Sequence, residues 1–291
     1  MEILHQYQNG NYTVTLYADG TKEKMTEEDE FIATFPDNMD LKLTNYCDMD
    51  CPMCHENASK EGAHASLDAP FLATLHKGTE IAIGGGNPLS HPDLLSFLER
   101  MKAQGVVCNM TVNETHLLAH MALLEEWLDQ KLIYGLGISL NRYAEETIAF
   151  AMAHPSVVLH IICGIASPTD IQKIAKKQLK ILLLGYKKHG RGEVYYSDRV
   201  ESRLNWMYRA LPSIFGAFAV VSFDNLAIEQ LDLRNRLKPE VFSSCYMGGD
   251  GEASMYVDLV KGEFGLSSIS AERYPLLPSA QEMLAYLHQT Q

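Results

Sequence analysis

The feature that most narrows the fold of this chain is an alternation of short apolar runs and longer amphipathic segments, which starts near Asp40 and ends near Gly185. DLKLT, EIAIGG, VVCNMTV, LIYGLGISL, VVLHIIC and LKILLLG read as strands, because each is short and almost continuously apolar. PDLLSFLERMKAQG, ETHLLAHMALLEEWLDQ, AEETIAFAMAHP and SPTDIQKIAKKQ lie between them and carry apolar residues three and four apart, the spacing of a helix face. Repeated strand-then-helix units imply parallel strands joined by right-handed crossovers. Six strands fit an α/β fold of the (β/α)6 partial TIM barrel type, and a doubly wound open sheet has the same periodicity. In a barrel, the chemistry belongs where strands end and loops begin.

The flanks read differently. LHQYQNGNYTVTLYADGTKEK alternates apolar and polar residues around Asn-Gly and Asp-Gly turn dipeptides, so residues 1–39 are expected to form a small N-terminal β-hairpin or meander followed by a solvated acidic linker. Residues 40–190 form the core. Residues 191–291 form a C-terminal α+β extension, with a helix over ESRLNWMYRALPSIFGAF and a glycine-broken β-ribbon in CYMGGDGEASMYVDLVKGEFGLSS.

At 291 residues the chain can bury one large α/β core with small attachments. Its 24 Lys+Arg against 37 Asp+Glu give a net charge of -13, which leaves no broad basic face for duplex nucleic acid, although a single nucleotide remains compatible. No apolar run reaches the length a bilayer requires, and MEILHQYQNG has no charged segment leading into an apolar one. A cytoplasmic protein with no membrane partner is expected.

Of the six cysteines, Cys47, Cys51 and Cys54 crowd into LTNYCDMDCPMCHEN, in a C-x3-C-x2-C spacing directly after the first core strand. Such crowding suggests metal ligation rather than a disulfide framework. Three thiolates on a tight loop can ligate three irons of a cubane and leave the fourth open. With His55 or His64 as a fourth ligand, the same thiols could instead complete a zinc site in an interaction module. A second motif, Gly84-Gly85-Gly86-Asn87-Pro88, ends the strand EIAI and leads toward the next helix. Alone, a strand–Gly–helix turn is weak, since such turns bind many ligands or none.

The two motifs together, in this order and spacing, resemble the radical S-adenosylmethionine (SAM) superfamily. The resemblance covers roughly residues 40–190. It implies a [4Fe–4S] cluster on Cys47, Cys51 and Cys54, with SAM chelated at the open iron. It also implies reductive cleavage of SAM to a 5′-deoxyadenosyl radical that abstracts hydrogen from substrate, and a low-potential electron donor such as flavodoxin or ferredoxin. Gly84, Gly85, Gly86, Asn87 and Pro88 would bind SAM's amino group, with Asn87 at the position where the family has Glu. Met53 takes the place of an aromatic residue near the adenine. Ser139 matches a ribose-binding position, Gly164 and Ile165 an apolar patch against adenine, and Lys187, with Lys188 and Arg191, a partner for the SAM carboxylate or an acidic substrate. Asn113, ending the third strand, is a comparable candidate.

Cys108 and Cys163 fall inside apolar strands and read as small core residues. That leaves Cys245 as the candidate functional thiol, with a structural role as its plainer reading, and it points to one cluster per chain. The resemblance is nearly silent on substrate. A peptide or protein side chain is the first reading, and a nucleotide or other small metabolite is the second.

Overall fold

The computed structural model describes residues 2–290. Strands β1 (Ile3–Asn9), β2 (Tyr12–Tyr17) and β3 (Lys22–Thr26) form an antiparallel meander, the three-stranded alternative to a single hairpin. The β1–β2 turn needs its glycine. Gly10 has φ +55°, and a Cβ there would lie 1.7 Å from the carbonyl oxygen of Ile32.

The core then alternates strand and helix: β4 (Asn38–Thr44), β5 (Glu80–Gly85), α1 (Leu94–Gln104), β6 (Val107–Asn113), α2 (Glu114–Asp129), β7 (Gly135–Ser139), α3 (Glu145–Ala153), β8 (Val157–Ile162), α4 (Pro168–Ile174) and β9 (Lys180–Leu184). All six expected strands form. The series continues through α5 (Arg191–Tyr195), α6 (Asp198–Phe215), β10 (Val220–Phe223), α7 (Asn225–Gln230), α8 (Leu233–Arg236) and α9 (Pro239–Cys245). It ends in β11 (Ser254–Asp258), β12 (Glu263–Gly265), β13 (Tyr274–Pro275) and α10 (Ala280–Thr290).

These strands make one ten-stranded sheet in the order β10-β9-β8-β7-β6-β5-β4-β11-β12-β13. Every pairing from β10 to β11 is parallel, and β12 and β13 add antiparallel. Two parallel strands, β10 and β11, therefore flank the expected six, and the C-terminal ribbon extends the main sheet rather than building its own.

From β4 to β10 the spatial order follows the chain order with no reversal, which is single winding. The two faces of the sheet agree. Leu41, Leu43, Ile81, Ile83, Met110, Ile138, Leu159, Ile181 and Leu183 are buried on the face that packs into the hydrophobic core. The alternate residues, among them Asp40, Lys42, Asn109, Thr111, Gly137 and His160, face a polar hollow. A doubly wound sheet would be apolar on both faces, so the sheet is a partial barrel with a lumen. Cys108 and Cys163 lie in the core, where burial pushes both thiols up to about 12.

The meander is seated under the N-terminal end of the barrel by one buried carboxylate. Asp37 accepts hydrogen bonds from Tyr12 Oη at 2.7 Å, Asn9 Nδ2 at 2.8 Å and Tyr7 Oη at 3.3 Å. It also pairs with Lys24 at 2.8 Å. Lys22 pairs with Glu80 at the start of β5.

Candidate active site

The loop leaving β4 carries the cysteines and closes on itself. Cys47 N–H donates to Ser59 O at 2.8 Å, Ser59 N–H to Asn45 O at 3.0 Å, and Cys54 N–H to Cys51 O at 3.2 Å. Asp50 (φ 44°) and Asn57 (φ 52°) take its left-handed positions, which short polar side chains tolerate best after glycine. All three thiols are half-buried. Burial first, then mutual proximity among the three, raises the Cys47 and Cys51 thiols, and the Arg191 guanidinium opposes it.

Arg191 grips this loop. Its side chain donates to Cys51 O at 3.0 Å and Ala58 O at 2.9 Å, and its backbone N–H to Cys54 O at 3.1 Å and Asn57 Oδ1 at 2.8 Å. Its guanidinium is thus spent on the cysteine loop.

The glycine motif is locked to the same loop. Gly86 N–H donates to Thr44 O at 2.8 Å and Asn87 N–H to Tyr46 O at 2.7 Å. A Cβ on Gly86 would lie 2.0 Å from Tyr46 O, and one on Gly85 2.5 Å from Thr44 O, where φ is also +108°. Gly84 faces open space. The glycines therefore let two backbones touch, bringing Asn87 beside the cysteines. Asn87 is 7% exposed. Its amide nitrogen lies 3.5 Å from Asp48 Oδ1, which also accepts from His116 Nε2 at 2.7 Å. Its Oδ1 is buried with no hydrogen-bond partner among the described residues, as is Asn45 Oδ1. A buried acceptor left orphaned costs about 1–3 kcal/mol, and an ammonium group would satisfy it.

The remaining candidates divide. Asn113 caps α2, its Oδ1 accepting from Thr115 N–H at 2.9 Å and from Asn141 Nδ2 at 3.1 Å. Ser139 pairs with Asn113 in register at the strand ends. The turn after it is capped instead by Glu114, which the sequence reading missed. The Glu114 carboxylate is fully buried and accepts from the backbone N–H groups of Asn141, Arg142, Tyr143 and Ala144 at 2.6–3.0 Å.

Gly164 (φ +85°) makes room for α6, since a Cβ there would lie 2.8 Å from Val200 Cγ1, and Ile165 turns back on Ile162. Lys187 donates to Ser268 Oγ at 2.8 Å and lies 3.4 Å from His55 Nε2, within the site. Lys188 sits over the Tyr196 ring, 3.4 Å from its centroid. Met53 is half-buried on the cysteine loop. Cys245 is exposed at the end of α9, so a buried structural role does not fit it.

Beneath the loop lies a buried polar network that the apolar patterning hid. Lys42 Nζ pairs with Glu56 Oε2 at 2.6 Å and Asp258 Oδ2 at 3.0 Å, and Tyr256 Oη donates to Glu56 at 3.1 Å. Burial works against the Glu56 carboxylate, but His55 and Lys42 outweigh it and hold its pKa well below the usual carboxylate range. Between the end of β10 and the β11–β12 ribbon is a cavity of about 230 Å³, lined by Asp40, Asp224, Asn225, Gly248, Ser254 and Ser267.

Among the described residues, no three His, Cys, Asp or Glu side chains converge as a single-ion site. Zinc needs such convergence, whereas a cubane takes one thiolate per iron. Three mutually close thiols, without a fourth ligand, beside an orphaned acceptor fit a cluster with one open iron.

No protein-family model and no curated protein matches this sequence. Solved structures of similar architecture include those of SuiB from Streptococcus suis. SuiB bound to its precursor peptide SuiA matches with a TM-score of 0.58 at 15% identity over 84% of this chain and 63% of that one. SuiB bound to S-adenosylmethionine matches with a TM-score of 0.57 at 15% identity over 87% of this chain and 66% of that one. A further SuiB crystal structure matches with a TM-score of 0.61 at 12% identity over 98% of this chain and 87% of that one. In the first two comparisons, the match spans less than two thirds of the SuiB chain. At these identities the likeness is one of architecture, and the parallel partial barrel of this chain is the fold of SuiB.

Proposed function

We propose that this protein is a radical SAM enzyme that modifies a peptide or protein side chain. The observation that carries the reading is the backbone contact that sets the orphaned Asn87 Oδ1 beside a loop of three neighbouring thiols. Cys47, Cys51 and Cys54 would hold a [4Fe–4S] cluster, and Asn87, with the Gly84–Gly86 backbone, would take the amino group of SAM. When bound and reduced by a one-electron donor, the cluster would supply the electron that splits the sulfonium of SAM into methionine and a 5′-deoxyadenosyl radical for hydrogen abstraction.

This chain's residues hold and shield. Arg191 fixes the cysteine loop, Asp48 and His116 orient Asn87, Ser139 stands at the barrel mouth for a ribose hydroxyl, and Lys187 is placed for a carboxylate. Two features support a peptide substrate: SuiB has been solved with a precursor peptide, and a cavity of about 230 Å³ lies between the end of β10 and the β11–β12 ribbon.

Anaerobic reconstitution tests the reading. About four irons per chain are expected for a single cubane, with 5′-deoxyadenosine released from SAM under dithionite, and both are lost in the triple Cys47→Ala, Cys51→Ala, Cys54→Ala variant. Stoichiometric zinc in a colourless protein overturns the cluster. Peptides encoded by neighbouring genes are the substrates to try first, and mass changes confined to small metabolites would overturn the peptide assignment.

A further inference from the structure

The lumen has two walls with opposite polar bookkeeping. On one wall, Lys42 of β4, Tyr256 and Asp258 of β11, and Glu56 of the cysteine loop satisfy one another. On β6, β7 and β8, the side chains of Asn109, Thr111 and His160 face the hollow, and none of them has a hydrogen-bond partner among the described residues. Each is partly open to the lumen, so each is available to something that enters it.

The strand between them has been cleared. Below Ser139 at the strand end, Gly135 and Gly137 are the residues of β7 on this face, because Leu136 and Ile138 point into the core. Neither glycine has a positive φ, so backbone conformation does not explain them. Space does. A Cβ on Gly137 would lie 2.3 Å from His160 Cε1, 2.4 Å from His160 Nε2 and 3.0 Å from Thr111 Oγ1. One on Gly135 would lie 2.8 Å from Asn109 Oδ1. Side chains from both neighbouring strands therefore fold over β7 and form a continuous polar belt across the wall.

The belt is uncharged and two-sided in its hydrogen bonding. Burial pushes the His160 imidazole down to about 4, so at neutral pH one ring nitrogen donates and the other accepts. A carboxamide (Asn109) and a hydroxyl (Thr111) likewise both donate and accept. Depth fits as well. Thr111 and Gly137 lie two residues before Asn113 and Ser139 at the strand ends, about 7 Å below them at the rise of a strand.

We propose that Asn109, Thr111 and His160, laid over Gly135 and Gly137, form a substrate-recognition belt that takes an uncharged amide, the carboxamide or backbone peptide group of the segment to be modified. The depth argument rests on the radical SAM reading above; the amide chemistry rests on the belt alone.

The experiment is a titration of N-methylacetamide into the anaerobic holoenzyme, oxidised to the 2+ cluster and labelled with 15N-histidine. The His160 resonances are identified by their loss in His160→Gln. A saturable shift of those resonances is expected, with methylammonium and acetate inert at the same concentrations. Gly137→Val and Asn109→Leu should each weaken the amide at least tenfold, and Asn109→Leu keeps the test alive if the glycine variant does not fold. No saturable shift, an equal response to methylammonium, or unchanged affinity in Asn109→Leu overturns the belt. Absence of 5′-deoxyadenosine from wild-type protein would overturn the radical SAM reading instead, with the amide titration still deciding the belt.

Discussion

At the scale of single residues, two side chains carry separable predictions. Asn87 donates toward Asp48 and leaves Oδ1 unpaired, so Asn87→Leu should weaken SAM binding at least tenfold by calorimetry while iron content stays at the wild-type level. Unchanged SAM affinity would remove Asn87 from the site.

Glu114 concerns stability. Burial disfavours its charge, but four backbone N–H donors outweigh that and hold its pKa below the ordinary carboxylate value. A group whose folded pKa is depressed contributes stability above its unfolded pKa, near 4.3, and loses it as the pH falls through the folded value. Glu114→Gln should therefore cost about 2–4 kcal/mol at neutral pH, and its Tm deficit should shrink as the pH drops below about 4. A deficit independent of pH would show that packing, not the carboxylate, is what the variant lost.

At the scale of elements, Lys42 joins the outgoing arm of the cysteine loop to β11 through Glu56 and Asp258. Lys42 is 4% exposed, so removing its charge strands two buried carboxylates. Lys42→Met should destabilise the fold by about 3–5 kcal/mol in urea unfolding, and adding Glu56→Gln and Asp258→Asn should recover part of that loss. A single variant as stable as wild type would mean that the network is solvated. The same element shows where sequence reading stopped. β11 was legible as a strand, but its partner was not, because pairing with β4 joins Met255 to Met39 across more than two hundred residues. Lys42 looked like an interruption in DLKLT because its counter-charges are distant in sequence.

At the scale of the whole molecule, Asp37 fastens the meander beneath the barrel. Asp37→Ala leaves Tyr12, Asn9 and Lys24 without their shared acceptor, and hydrogen exchange across residues 3–26 should speed up while strands β5–β9 stay protected. Uniform loss of protection would instead make the meander part of one cooperative unit.

Local chemistry was enough to mark the six core strands, the helices between them, the cysteine loop and the glycine turn, since periodicity and thiol spacing are properties of neighbouring residues. The Asn113 cap, by contrast, was indistinguishable from a ligand position until its partners Thr115 and Asn141 were in place. What only the tertiary structure decided is every feature made by groups far apart in sequence: single winding over double, the contact that forces Gly86 against Tyr46, the grip of Arg191 on the cysteine loop, and the glycine gap under His160. Those follow from the register between strands and from which charges meet in the lumen, and neither is a function of residues close together in the chain.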